Sequence, residues 1–92
     1  MILSFNCSET ESLFGGKRVA RFVNIERVAR RKLIMIDGAT SLSFLNVPPQ
    51  NRLEALKKDR KGQWSIRIND QWRVCFRFEN GDACDVEIVD YH

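Results

Sequence analysis

Residues able to carry proton-transfer chemistry lie at the C-terminal end of this sequence. Asp90-Tyr91-His92 places the only histidine of the chain two residues after a carboxylate. An imidazole titrates near neutral pH and is a natural proton carrier, and a neighbouring Asp90 can act as a base or orient the ring. A terminal histidine is more often an exposed surface residue, so the triplet by itself does not establish a site.

A basic block precedes this acidic end. Residues 52–77 hold eight Lys or Arg against three Asp or Glu, whereas residues 78–92 hold none against five. Such a block indicates a polyanionic partner, although the same side chains can simply solvate a surface. The candidate contacts to a nucleic-acid backbone are Arg52, Lys58, Arg60, Lys61, Arg67 and Arg77.

Several other classes of protein are disfavoured. Cys7, Cys75 and Cys84 are odd in number and lack zinc-site spacing, so we expect reduced, mostly structural thiols and no metal or cofactor. No apolar run reaches 18 residues and the N-terminus does not read as a signal peptide. We therefore expect one cytoplasmic domain over residues 1–92.

The first half of the chain predicts helices that must support any site. Between Asn24 and Ala39 the apolar residues fall on one helical stripe, with Asn24 as the expected N-cap. A second, short helix is predicted over residues 41–46, and Pro48-Pro49 should end it and begin an extended linker. Met1–Phe5 alternates weakly and predicts a short strand.

Residues 63–92 predict an antiparallel meander. A three-residue loop at 69–71 sets apolar residues opposite each other, whereas a two-residue loop would face them with polar ones. The preferred register also sets Arg67 directly opposite Arg73, with Arg77 on the same face. Like charges opposed across strands are destabilising, so this face predicts an anion site. The alternative is that acidic neighbours neutralise the arginines.

The last hairpin has two possible registers around Asn80-Gly81. A two-residue loop sets Phe76 opposite Asp85, whereas a three-residue loop with a bulge sets Phe76 opposite Val86 and Arg77 opposite Asp85. Hydrophobic matching favours the bulge. That register puts Tyr91 on the arginine face and leaves Asp90 and His92 on the other.

Three stretches together resemble the HigB-like toxins of the RelE/ParE superfamily. They are Leu56-Lys57-Lys58-Asp59-Arg60, the strand containing Trp72-Arg73, and the terminal Asp90-Tyr91-His92. The resemblance implies an α+β, RelE-like fold, in which a curved antiparallel sheet carries two N-terminal α-helices on one face. It also implies ribosome-dependent cleavage of mRNA and neutralisation by a helix-turn-helix antitoxin of the HigA type.

The same resemblance implies the residues that line the active cleft: Lys57, Arg73, Asp90, Tyr91 and His92. The sequence departs from the pattern at two positions. Some relatives carry a histidine where this chain has Glu54, and a glycine where it has Lys58. The first departure puts in doubt a proton-carrying role for position 54 of the kind those relatives have.

These residues suit RNA cleavage without a metal. A base removes the 2′-hydroxyl proton, the oxygen attacks phosphorus, and an acid protonates the leaving 5′-oxygen. Asp90 and His92 are the candidate proton carriers, with their two roles left open. Arg73 and Lys57 would stabilise the charged phosphorane, and Tyr91 would stack on a base or bind a phosphate.

Two other functions remain open. A toxin of the same fold can act on a protein target such as DNA gyrase without nuclease chemistry, and a non-catalytic module would use only the basic block. The retained Asp90-Tyr91-His92 end favours the nuclease. For the antitoxin, we expect a contact surface formed by Arg27, Arg30 and Arg31 on the 24–39 helix.

Overall fold

Two helices cover one face of a four-stranded sheet in the computed structural model, which describes residues 1–91. The helices are α1 (Ser8–Phe14) and α2 (Glu26–Gly38), and the strands are β1 (Glu54–Ala55), β2 (Trp64–Arg67), β3 (Trp72–Glu79) and β4 (Asp82–Asp90). The strands are antiparallel in the order β1-β2-β3-β4. The predicted α+β fold is confirmed. None of the helices within these residues is long and apolar enough to cross a membrane.

The core lies between α2 and the sheet. Helix α2 buries Ala29, Leu33 and Ile36 because they recur at helical spacing on one side. They pack with the alternate residues Val74 and Phe76 of β3, all of them fully buried. The opposite face of β3 therefore points away from the helices and carries its polar side chains.

The helical predictions need three corrections. The second helix is α1, not residues 41–46, where only a 3-10 turn forms over Leu42–Asn46. Helix α1 was not predicted because its seven residues are too few for an apolar stripe to emerge. Helix α2 begins at Glu26 with no side-chain cap, so Asn24 is not its N-cap.

The segments flanking the helices also differ from expectation. Pro49–Asn51 forms a 3-10 turn instead of an extended linker, because proline suits the first position of a helical turn. The predicted strand at Met1–Phe5 is reduced to two isolated parallel bridges, Ile2 with Ala83 and Phe5 with Val86, along the outer edge of β4.

The first hairpin has the predicted register. Ile66 pairs with Val74, Trp64 pairs with Phe76, and Arg67 lies opposite Arg73.

The second hairpin combines both registers that the sequence allowed. A two-residue loop at Asn80-Gly81 pairs Arg77 with Cys84, and a β-bulge further along restores the pairing of Val74 with Ile88. The bulge therefore exists but lies near Asp85, whose φ is 54°, and not at the turn. The prediction that Arg77 lies opposite Asp85 in the ladder is therefore wrong, because Arg77 pairs with Cys84.

Candidate active site

Arg73 occupies the centre of the sheet face that points away from the helices. Its Nε donates to Ser65 Oγ at 2.9 Å, and its Nη2 donates to the carbonyl oxygen of Arg52 at 2.7 Å. These contacts come from β2 and from the segment before β1, so two separate elements fix the guanidinium. The guanidinium can bind an anion only through N–H groups that remain accessible.

Two further groups meet Arg73 on its open side. The Glu54 carboxylate of β1 lies 3.5 Å from Nη2, and the ring of Tyr91 lies 5.6 Å from Cζ, within cation–π range. Only 11% of the Arg73 side chain is exposed, against 53% for Glu54. The carboxylate is therefore the more exposed partner of this ion pair.

The connection between β1 and β2 lies beside this arginine. Arg60 donates to Glu87 Oε1 at 2.9 Å and to Gln63 Oε1 at 3.1 Å. The hydrogen bond to Glu87 raises the pKa of Arg60, and Tyr91 contributes to the same shift. Of these two guanidiniums, Arg73 lies over the Tyr91 ring, and Arg60 is held by Glu87 on the same face of the sheet.

Cys75 lies on the same face beneath these polar groups. Its side chain is fully buried, and burial raises the pKa of its thiol to about 11. A thiol with such a pKa stays protonated at neutral pH and is a poor nucleophile. All three cysteines are free thiols, as expected.

The C-terminal residues reach the site from the end of β4. Tyr91 donates its backbone N–H to the carbonyl oxygen of Gln71 at 2.6 Å, and Asp90 Oδ2 accepts from Gln71 Nε2 at 3.1 Å. Tyr91 lies on the arginine face, as predicted. Asp90 pairs with Trp72 in the ladder, so it lies on the opposite face of the sheet from Arg73, as predicted. His92, a predicted catalytic residue, lies outside the described residues.

The predicted RNA-binding residues fall into two groups. Arg60, Arg67 and Arg77 pair with the acidic side chains of Glu87, Asp70 and Asp85, respectively. The alternative to an anion site, neutralisation by acidic neighbours, was open for Arg67, Arg73 and Arg77, and each of the three has an acidic partner, since Arg73 pairs with Glu54.

Apart from Arg73, the remaining cations of the basic block are four exposed residues: Arg52, Lys57, Lys58 and Lys61. Within residues 1–91, none of the four takes part in an ion pair. Lys57, predicted to act with Arg73, lies in the connection between β1 and β2 and points its charge to solvent. This connection thus presents unpaired positive charge beside the site.

Sequence reasoning missed three residues that shape the site. Ser65 and Glu87 were not singled out, and Glu54 was noted only as a departure from the family pattern. The register contained a usable signal, because Glu54 pairs with Ser65, Ser65 with Cys75, and Cys75 with Glu87 across the four strands. Polar residues aligned in this way mark one continuous row on the arginine face.

The described part of the chain offers no ready set of metal ligands. No group of three His, Cys, Asp or Glu side chains there is placed to hold a metal ion.

Comparison with known proteins identifies the family. A family model described as a RelE-like toxin of type II toxin-antitoxin system HigB matches residues 15–92. The chain is 40% identical over 94 residues to Endoribonuclease HigB of Proteus vulgaris, covering 100% of both chains. It is 36% identical over 85 residues to Toxin HigB-1 of Vibrio cholerae serotype O1, covering 90% of each.

A solved structure supports the fold independently. The YoeB-YefM complex from Staphylococcus aureus contains a chain that matches with a TM-score of 0.58 at 17% identity, covering 100% of this chain and 95% of that one. At this identity the likeness concerns the fold alone. Together with the family match over residues 15–92, the sheet and its arginine face place this chain in the family of HigB-like toxins of type II toxin-antitoxin systems.

Proposed function

We propose that this toxin is an endoribonuclease that cuts mRNA on the ribosome without a metal ion. The observation that carries the proposal is Arg73, which is held by Ser65 and Arg52 and is covered by the aromatic ring of Tyr91. A fixed guanidinium beside an aromatic ring suits a phosphate flanked by a base. The name of the Proteus vulgaris relative, Endoribonuclease HigB, supports the same activity.

The proposed reaction divides its proton transfers between the last residues of the chain. One of Asp90 and His92 removes the 2′-hydroxyl proton, and the 2′-oxygen attacks the adjacent phosphorus. Arg73 and Lys57 stabilise the negative charge that develops on the non-bridging oxygens. The other proton carrier protonates the departing 5′-oxygen, which leaves a 2′,3′-cyclic phosphate and a 5′-hydroxyl. Tyr91 stacks on a base beside the cleaved bond.

Dependence on the ribosome is consistent with the exposed loop cations. Arg52, Lys58 and Lys61 are exposed and have no carboxylate partner among residues 1–91, so they can bind an RNA backbone without breaking an ion pair. Arg60, Arg67 and Arg77 would have to exchange a carboxylate for a phosphate first. We therefore propose that the exposed cations are the first to bind the backbone of ribosomal or messenger RNA.

The decisive experiment is primer extension on a reporter mRNA translated in a purified system, with and without ribosomes. Wild-type protein should produce cuts only when ribosomes are present, and His92→Gln and Arg73→Gln should abolish them. Arg21→Gln is the matched control, because Arg21 also stacks on an aromatic ring, Phe22 at 5.0 Å, but lies outside the site.

Each outcome of that experiment separates the candidate functions. Cuts on free RNA would contradict ribosome dependence. Products that end in a 3′-hydroxyl and a 5′-phosphate, as attack by a metal-bound water would give, would contradict the metal-free attack by the 2′-hydroxyl. Growth arrest without cuts would point to a protein target such as DNA gyrase. Cuts that persist in His92→Gln would remove that residue from the mechanism.

We also propose that the antitoxin docks on the outer face of α2. Arg27 and Arg31 are exposed there and line one surface with Ile34, which is 63% exposed. This combination fits an acidic segment that also carries an apolar residue. Arg30 has a structural role instead, because it donates hydrogen bonds to the carbonyl oxygens of Leu13 and Lys17.

Charge reversal on this face tests the docking surface. The double variant Arg27→Glu/Arg31→Glu should lose affinity for a helix-turn-helix antitoxin of the HigA type while still cutting mRNA. Unchanged antitoxin affinity in a binding titration would refute this surface.

A further inference from the structure

Lys32 is a buried lysine whose placement the proposed reaction does not explain. Only 5% of the residue is exposed, and no ion pair among residues 1–91 includes it. Burial lowers the pKa of its amine, and the nearby charges of Arg31 and Arg67 lower it further. An apolar residue at this position of α2 would avoid that cost, so the amine must do something that a methyl group cannot.

The partner of this amine is the side chain of Asn51, which is fully buried. Lys32 Nζ donates to Asn51 Oδ1. The other end of the same amide, Nδ2, donates to the carbonyl oxygen of Leu45 at 3.1 Å and contacts that of Val47 at 3.4 Å. One amide thereby ties the chain between residues 45 and 51 to α2.

The residue that follows Asn51 connects this anchor to the active site. Arg52 adopts left-handed backbone angles, with φ 46° and ψ 55°, which a non-glycine residue adopts only when its surroundings hold it there. Its N–H donates to the carbonyl oxygen of Pro49 at 3.1 Å, and its own carbonyl oxygen accepts from Arg73 Nη2 at 2.7 Å. Because Arg52 follows Asn51 directly, the direction of the Arg52 carbonyl depends on how the side chain of Asn51 is held.

We propose that Lys32 and Asn51 are positioning residues for Arg73. They act from the helix layer by fixing the carbonyl of Arg52, which with Ser65 holds the guanidinium in the orientation that meets a phosphate. The inference rests on the proposed function, since it takes Arg73 as the group that stabilises the transition state. Small displacements of such a group reduce turnover more than they reduce binding.

The test is steady-state cleavage on programmed ribosomes by Lys32→Met, which keeps an unbranched side chain as far as the Cε position and removes the amine. We expect kcat to fall about ten-fold with little change in KM, and the thermal midpoint to fall only modestly, because the lost hydrogen bond to Asn51 Oδ1 is partly offset by removal of the buried amine. Asn51→Asp keeps the acceptor for Lys32 and loses the three contacts that Nδ2 donates, to Leu45, Val47 and the Met35 sulfur, and should also lower kcat. It keeps the proposal testable if Lys32→Met fails to fold.

A control and a double variant separate positioning from general stability. Thr10→Val removes a different buried hydrogen bond, the one that Thr10 Oγ1 accepts from the Ile88 N–H at 3.0 Å, and should lower stability with wild-type kcat. In an Arg73→Lys background, which keeps a positive charge but loses the guanidinium fork that Arg52 and Ser65 hold, Lys32→Met should have no further effect on the residual kcat, because the group that it positions is absent.

Two results would overturn the inference. One is wild-type kcat in a folded Lys32→Met protein, and the other is an equal loss of kcat with and without Arg73. Failure of the proposed function is distinct, because the wild-type protein itself would then leave the mRNA intact.

Discussion

At the residue scale, the pairing of Glu54 with Arg73 defines the unbound state of the site. The carboxylate lies 3.5 Å from the guanidinium and is half-exposed. In the proposed reaction it therefore competes with the phosphate for the same N–H donor and is displaced by it. Glu54→Gln should therefore lower KM about three- to ten-fold without changing kcat, because a neutral amide competes less strongly. Steady-state cleavage kinetics on ribosomes measure both constants.

The control for this prediction is Glu26→Gln, which removes a carboxylate paired with Arg30 at 3.0 Å on the helix side. It should leave both constants unchanged. A fall in kcat for Glu54→Gln, with constant KM, would instead assign Glu54 to proton transfer, as the histidine of some relatives suggests.

The buried thiol of Cys75 makes a second residue-scale prediction. Its pKa is about 11 in the folded protein and 9.0 in the unfolded chain, so the folded state binds the proton more tightly. The stabilising contribution is complete below pH 9 and is lost as the pH rises towards 11. The free energy of unfolding should fall over this window, by on the order of 2 kcal/mol for a fully realised shift.

The measurement compares urea denaturation of the wild type and Cys75→Ala at pH values about one unit apart across that window. The difference between the two proteins isolates Cys75 from the other groups of the protein that titrate in the same window. Parallel pH dependences would show that the thiol does not contribute.

At the element scale, the loop between β1 and β2 is held against the sheet through Gly62. This glycine has a φ of +93°, and a Cβ there would lie 2.7 Å from Arg77 Nη1. Gly62→Ala should cost about 1–2 kcal/mol of unfolding free energy through its backbone angles. Because Arg77 is flexible and must move aside, the loop should shift as well, and cleavage on ribosomes should weaken.

Gly16→Ala separates the two effects. Gly16 has the same φ of +93°, but no atom lies within 4 Å of its added Cβ. It should lose a similar unfolding free energy and cleave like the wild type. Equal cleavage by the two variants would mean that the position of the loop does not matter for RNA binding.

Also at this scale, the sequence predicted elements well where burial decides them. The pairing of Ile66 with Val74 followed from alternation, because a one-residue slip would have exposed a whole apolar face. The bulge near Asp85 was harder to place, since its position depends on which residue tolerates left-handed angles. Helix α1 and the anchor at Asn51 depend on tertiary contacts that local patterns do not contain.

Less of the candidate site was predicted, because it also depends on tertiary contacts that local patterns do not contain. The family pattern supplied Arg73 and Tyr91, which lie together on the arginine face. It did not supply Ser65 or the carbonyl of Arg52, because their role is to hold Arg73 and appears only once the chain is folded.

At the scale of the whole molecule, positive charge is divided between two faces with different expected partners. Lys58 and Lys61 are exposed on the loop beside the active site, and Arg27 and Arg31 are exposed on the outer side of α2. A net charge of +3 conceals this division. Removing two positive charges from one face or from the other should therefore have different consequences, although the effect on the net charge is the same.

Salt dependence makes that difference measurable. Every phosphate that the protein no longer neutralises reduces the slope of log affinity against log salt by about 0.7–0.9, so Lys58→Gln/Lys61→Gln should reduce the slope for ribosome binding by about 1.5. Arg27→Gln/Arg31→Gln removes the same charge and should leave the slope unchanged, because we expect that face to bind the antitoxin and not RNA. Sedimentation with ribosomes at several salt concentrations gives both slopes. An equal reduction in the two variants would mean that net charge, and not the loop, attracts the toxin to the ribosome.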